Sequence, residues 1–117
     1  MVQDKAEEAT RVRGRMAGDP VFFDRCELFL ILDLYGRMVA AGEWRDYGIE
    51  RGADHVAFAV FRRAAEHPLY RIVKRPSLRR RQGQYAVVGM DGRILRRGHD
   101  LASVLEVLRR KLLRTLD

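Results

Sequence analysis

One cysteine and three histidines are the residues of this chain that could act as a nucleophile, a general base or a soft metal ligand. Cys26 is the only thiol, and it lies in the first turn of a predicted helix, where a thiolate can be stabilised. A catalytic cysteine also needs a positioned base, and no motif connects Cys26 with His55, His67 or His99. We therefore interpret Cys26 as a small apolar residue near the start of a helix.

Metal, nucleotide and acid–base chemistry have equally little support. The histidines are 12 and 32 positions apart, whereas paired Cys or His ligands of structural zinc sites are about three to six positions apart. Neither of the glycine-rich phosphate-binding motifs, G-x-x-x-x-G-K-[ST] and G-x-G-x-x-G, occurs. Asp46, Glu50 and Asp54 flank a predicted hairpin and are expected to face water. The sequence predicts no metal, no cofactor and no enzymatic activity.

The strongest chemical feature is the distribution of basic residues. The net charge of +7 combines −3 over residues 1–60 with +10 over residues 61–117. The C-terminal cations form two groups, one in a loop and one around the last helix. They are Lys74, Arg75, Arg79, Arg80, Arg81, Arg96, Arg97, Arg109, Arg110, Lys111 and Arg114.

Arginine suits phosphate because its planar guanidinium donates two parallel hydrogen bonds. If the two groups converge, they form a patch for a polyanion such as nucleic acid. The alternative is a solvated loop together with a helix end whose cations complement the helix dipole.

The first element that could position these groups is a helix over residues 24–41. Asp24 and Glu27 form a capping-box pattern, apolar residues then recur every three or four positions, and Gly42 suits the residue after the helix. The helix is unusually apolar, because three large side chains fall outside its main apolar stripe: Phe29, Leu32 and Val39. Such a helix is either buried by several partners or available to another chain.

After Trp44 the apolar period changes to two, which is typical of strands. Tyr47 and Ile49 alternate with polar neighbours and predict a first strand, which ends at a plausible hairpin turn over residues 51–54. The other predicted strands are 56–61, 69–75, 85–90 and 93–97. Asp91-Gly92 lies between the last two, and this pair favours a two-residue type I′ hairpin.

A last helix begins after Asp100, a suitable N-cap, and carries one apolar stripe. The order α-β-β-β-β-β-α predicts an α+β fold, with an antiparallel meander sheet of about five strands flanked by an N-terminal and a C-terminal helix. We expect residues 1–20 to be a disordered tail and residues 21–117 to form a single domain. No apolar run approaches the ~18 residues that span a bilayer, and no signal peptide is recognisable, so we expect a cytoplasmic protein without membrane contact.

Several sequence blocks, in order over about residues 22–110, resemble one family. These blocks are Phe23-Asp24-Arg25, Glu27-Leu28, residues 34–47, Val60-Phe61-Arg62-Arg63, residues 68–72, Gln82-Gly83, Tyr85 and residues 97–101. The family is a group of short bacterial proteins, of alphaproteobacterial type, known as a domain of unknown function (DUF2794-like). The resemblance implies one folded unit with a peripheral tail, and it implies no activity, cofactor or catalytic residue.

Within these blocks, polar and aromatic residues lie where helices end and begin. We expect Trp44, Arg45 and Asp46 to meet His99 and Asp100 in a structural polar cluster. As to function, we expect a non-catalytic binding or regulatory module that contacts nucleic acid through its basic half. The alternative is a protein–protein interaction or homodimerisation module that uses the apolar helix 24–41.

Overall fold

The computed structural model describes residues 19–63 and 66–116, so residues 1–18 of the predicted tail lie outside the described residues. Over these described residues the fold is α+β, as predicted, with one helix, five strands and a second helix. The elements are α1 (Arg25–Ala40), β1 (Asp46–Arg51), β2 (Val56–Phe61), β3 (Tyr70–Lys74), a 3₁₀ turn (Pro76–Leu78), β4 (Tyr85–Gly89), β5 (Ile94–Gly98) and α2 (Leu101–Leu116).

The five strands form one antiparallel sheet in chain order, because each strand pairs with the next. The register places Arg51, Lys74 and Gly98 in one row, which we call the upper end of the sheet. Asp46 and Gly89 lie at the opposite, lower end. This register decides which loops lie together.

Both helices cover the same face of the sheet. Alternate strand residues such as Val56, Phe58 and Ile72 are fully buried beneath them. The remaining core comes mainly from the inner faces of the helices: Ile31, Leu34, Met38, Leu101, Val104, Leu105, Leu108 and Leu112.

Local sequence explains where the helices begin. The capping box is formed, since Asp24 Oδ1 accepts from the Glu27 amide (2.8 Å) and Glu27 Oε1 accepts from the Asp24 amide (2.7 Å). Gly42 follows α1 with a φ of 78°, as predicted. Asp100 caps α2 by accepting from the Ser103 amide at 3.0 Å.

The other face of the sheet is not covered by either helix, yet Ala57 and Ala59 of β2 are buried on it. Their cover is an ion pair between the flanking strands, because Arg71 Nε lies 2.8 Å from Glu50 Oε1 across β2. β1 and β3 are two strand spacings apart, about 10 Å, so the two long side chains can meet only above small residues.

The β4–β5 connection differs from the prediction of a type I′ turn. That turn needs a positive φ at both central residues, and among the described residues only glycines have one. Gly92 has a φ of 86°, while the Gly89 amide donates to the Arg93 carbonyl and the Gly92 amide to the Gly89 carbonyl. The connection is therefore a three-residue loop of Met90, Asp91 and Gly92, a type I turn followed by one left-handed glycine.

Candidate functional site

The loop between β3 and β4 is the most distinctive basic element, and we call residues 76–83 the arginine loop. Its neck is closed by a 2.7 Å hydrogen bond from the Arg75 amide to the Gln84 carbonyl. Within it, the Gly83 amide donates to the Leu78 carbonyl at 2.9 Å, and the Leu78 side chain is half-buried. The backbone of this loop is therefore held by its own hydrogen bonds.

Gly83 fixes the loop against the sheet. Its φ is +104°, and a Cβ at this position would lie 2.3 Å from the carbonyl carbon of Gly98 in β5. Only glycine fits so close to a neighbouring backbone. Arg97 of β5 adds a second connection, since its Nη1 donates to the Gly83 carbonyl at 3.2 Å.

Arg79, Arg80 and Arg81 project from this loop and are all exposed. No described carboxylate forms an ion pair with any of them, and the same holds for Arg97, whose partner is a carbonyl. Four guanidinium groups without a paired anion thus lie on or beside one short loop, at the upper end of the sheet.

Arg75, at the neck, differs because a carboxylate already holds it. Its Nη1 lies 2.8 Å from both oxygens of Asp54, in the β1–β2 loop. The hydrogen bond from His55, together with Arg75, lowers the pKa of Asp54 below its ordinary value. Asp54 therefore stays ionised and offsets part of the positive charge here.

The other predicted cations do not join this group. Arg96 donates to the Ser103 hydroxyl at 3.2 Å on the helix-covered side. Arg109, in the middle of α2, faces Asp33 of α1 at 4.0 Å. The more distal helical cations, Arg110, Lys111 and Arg114, lie towards the lower end, because α2 starts at the upper end and is roughly 24 Å long. The structure thus brings together Arg75, Arg79, Arg80, Arg81 and Arg97, and not all eleven candidates.

Lys74 has a structural environment that sequence reasoning missed. Its Nζ donates to Glu27 Oε1 at 2.8 Å and to the Phe22 carbonyl at 2.9 Å. Glu27 also accepts a hydrogen bond from the Tyr85 hydroxyl, and it is buried at 6% exposure. Burial, followed by the hydrogen bond to Glu27, raises the pKa of Tyr85 above its ordinary value. We call Glu27, Lys74 and Tyr85 the buried polar network; it ties the start of α1 to β3 and β4.

The predicted polar cluster of helix ends is not present among these described residues. Asp46 begins β1 at the lower end of the sheet, whereas His99 and Asp100 follow β5 at the upper end and at the opposite edge. Trp44 is instead a core residue at 2% exposure, and Arg45 is exposed beside it.

The described part of the chain shows no grouping of catalytic or metal-binding side chains and no membrane-spanning helix. Cys26 is exposed and forms no hydrogen bond with a histidine there. No group of three or more potential metal ligands occurs within residues 19–63 and 66–116. Over those residues, no helix is long and apolar enough to cross a membrane.

Comparison with known proteins identifies a family but no activity. No curated protein and no solved structure shows significant similarity to the chain. The profile of one family, described as "Protein of unknown function (DUF2794)", matches residues 21–105. This match covers the sheet, α1, the arginine loop and the start of α2. The chain therefore belongs to the DUF2794 family.

Proposed function

We propose that this protein is a non-catalytic, cytoplasmic binding module that contacts nucleic acid through the arginine loop and Arg97. The observation that carries the proposal is the set of three consecutive exposed arginines at 79–81, for which the described residues provide no carboxylate partner. The proposed binding surface is therefore one end of the sheet and not the whole basic half of the sequence.

The conformation of the loop supports this assignment. When a binding loop becomes ordered only on binding, the lost conformational entropy weakens the affinity. This entropic cost is small where the backbone of the loop is already held in place. Here the neck hydrogen bond, the Gly83 contact with β5 and the Arg97 bond to Gly83 hold the loop before any ligand arrives. Guanidinium groups presented in this way can each donate two hydrogen bonds to a phosphate.

The partner is inferred from its charge and shape. Asp54 is the carboxylate paired at the neck of the loop, and Arg75 holds it at 2.8 Å. Three adjacent guanidinium groups carry more positive charge than a single phosphate neutralises, whereas a chain of phosphates can pair with each of them. Contacts of this kind position a nucleic acid without reading its sequence.

The test is a fluorescence anisotropy titration with labelled DNA and RNA oligonucleotides at several salt concentrations. The variant Arg79→Gln/Arg80→Gln/Arg81→Gln is compared with the wild-type protein. Each phosphate contact contributes about 0.7 to 0.9 to the slope of log affinity against log salt. We expect the variant to bind more weakly and its slope to be smaller by about 2 to 3.

The matched control is Arg93→Gln/Arg110→Gln/Arg114→Gln, which makes the same change in net charge. These three arginines are exposed, lie outside the arginine loop and have no described carboxylate partner. We expect the control to retain most of the wild-type slope. Equal losses in both variants would mean that only the overall charge matters, and absence of binding at low salt would refute the function itself.

A further inference from the structure

The outward side of α1 is apolar, although it faces away from the domain. Phe29 is 71% exposed, Leu32 44% and Val39 40%, and the exposed Gly36 and Ala40 lie on the same side of the helix. The buried residues of α1 occupy the opposite side, towards the sheet. A surface helix normally carries polar residues in this position, so an exposed apolar stripe marks a contact surface. We call these five residues the outer stripe.

The outer stripe is complementary to a reversed copy of itself in size. Its two largest side chains, Phe29 and Leu32, lie in the first half of the helix, and the second half holds the smaller Gly36, Val39 and Ala40. The space above Gly36 is open, since nothing lies within 4 Å of where its Cβ would be. An open depression beside Val39 continues the small half; it is lined by Val39, Gly42, Trp44, Arg45, Arg62 and Arg63.

The charges at the two ends of the stripe are complementary in the same sense. Arg25 stands at its N-terminal end and Glu43 just beyond its C-terminal end, with no charged residue in the stripe itself. Asp33 and Arg37, to one side, are paired with each other at 3.2 Å. A reversed copy would therefore place an arginine against a glutamate at both ends.

We infer that the partner of the outer stripe is a second copy of this chain, packed antiparallel about a two-fold axis level with Leu34. In this register Phe29 of one copy lies against Val39 of the other, and Leu32 lies against Gly36. The Phe29 ring enters the depression, whose arginine side chains can stack on an aromatic face. Arg25 meets Glu43, whose ion-pair partner among the described residues of its own chain, Arg62, is 3.9 Å away. Such an isologous contact uses the same surface twice and closes as a dimer.

Charge reversal tests the register, read by sedimentation velocity over a concentration series. We expect the wild-type protein to dimerise, and Arg25→Glu and Glu43→Arg each to raise the dimer Kd about tenfold, because two pairs per dimer become repulsive. An equimolar mixture of the two variants should recover wild-type affinity, because the mixed dimer contains two opposite-charge pairs. Failure of the mixture to recover affinity would overturn the antiparallel register.

A steric variant and a distance measurement complete the test. Gly36→Leu adds a side chain in space that is open in the single chain, so the fold should be retained while the dimer is lost. Spin labels can be attached to Cys26, the single cysteine. In the antiparallel dimer the two labels should lie roughly 24 Å apart along the helix axis, because they are separated by the rise of 16 helical residues. Parallel helices would place the labels side by side. A wild-type protein that stays monomeric at all concentrations, including one whose residues 1–18 cover the stripe, would overturn the proposal.

Discussion

The buried polar network makes a stability prediction that can be worked out atom by atom. We consider the substitution Glu27→Gln, which keeps the shape of the side chain and an oxygen acceptor but removes the negative charge. Lys74 would then keep its bond to the Phe22 carbonyl. Its side chain is only 12% exposed, and its ammonium group would lose the one carboxylate that contacts it within the described part of the chain. The change therefore isolates charge compensation from packing.

The expected loss is about 3 kcal/mol of unfolding free energy, since removing one partner of a buried ion pair costs roughly 3–5 kcal/mol and Gln retains part of the hydrogen bonding. Lys74→Met should cost a similar amount, because it leaves the Glu27 carboxylate buried without a cation. The double variant contains neither charge. It should be less destabilised than the sum of the two single variants by about 2 kcal/mol, within the range found for residues in direct contact.

Urea unfolding followed by tryptophan fluorescence measures these values, because the single tryptophan, Trp44, is buried at 2% exposure. Asp33→Asn is the control: it also converts a carboxylate of α1 to an amide, but in an exposed pair with Arg37, and should cost at most about 0.5 kcal/mol. Additive effects of Glu27→Gln and Lys74→Met, within about 0.5 kcal/mol, would show that the two charges are not coupled and would refute the reasoning.

Three further predictions concern the loops and the uncovered face of the sheet. Gly83→Ala should cost at least about 2 kcal/mol in urea unfolding and weaken oligonucleotide binding, because the new Cβ meets the β5 backbone. Gly92→Ala is the control, since Gly92 also has a positive φ but open space around it; it should cost less and leave binding unchanged. Ala59→Leu should cost about 1–3 kcal/mol and separate the ion pair that crosses β2, seen as loss of coupling in a double-mutant cycle; a neutral effect would contradict the role of the small residue. Asp54→Asn should lower the melting temperature at neutral pH. The pKa of Asp54 is lowered in the folded state by its hydrogen bond to His55 and by the neighbouring guanidinium. The contribution of Asp54 to the free energy of unfolding is therefore complete above its ordinary pKa of about 3.9. It disappears as the pH falls through the lower pKa that Asp54 has in the folded state. A difference between wild-type and variant that does not shrink as the pH falls below about 3.9 would contradict this.

Much of the fold could be predicted because its signals are local. Asp24 and Glu27 are three residues apart, and the same side chains that form the sequence pattern form the capping box. The alternation through residues 56–61 predicted a strand that is buried at five of its six positions. The position of the β4–β5 turn was equally clear, but not its type. Asp-Gly is compatible both with a two-residue turn and with a longer loop in which only Gly92 has a positive φ.

The contacts that could not be predicted depend on register. Lys74 and Tyr85 are 47 and 58 residues from Glu27, and no local pattern indicates that β3 and β4 present them to the start of α1. Of the three residues in the buried polar network, only Glu27 could be recognised in the sequence, because it belongs to the local capping-box pattern with Asp24. The polar cluster failed for a topological reason. An odd number of antiparallel strands carries the chain from one end of the sheet to the other, so Asp46 and His99 lie at opposite ends.

The same topology connects the two proposals. α1 begins at the upper end of the sheet, since the Phe22 carbonyl accepts from Lys74 at the end of β3, and the arginine loop follows directly from that strand. Two copies of α1 that pack antiparallel therefore place one arginine loop at each end of the paired helices. The dimer would present two separate basic sites instead of one continuous patch. A nucleic acid long enough to reach both sites would bind more tightly, because contact with one site raises its effective concentration at the other.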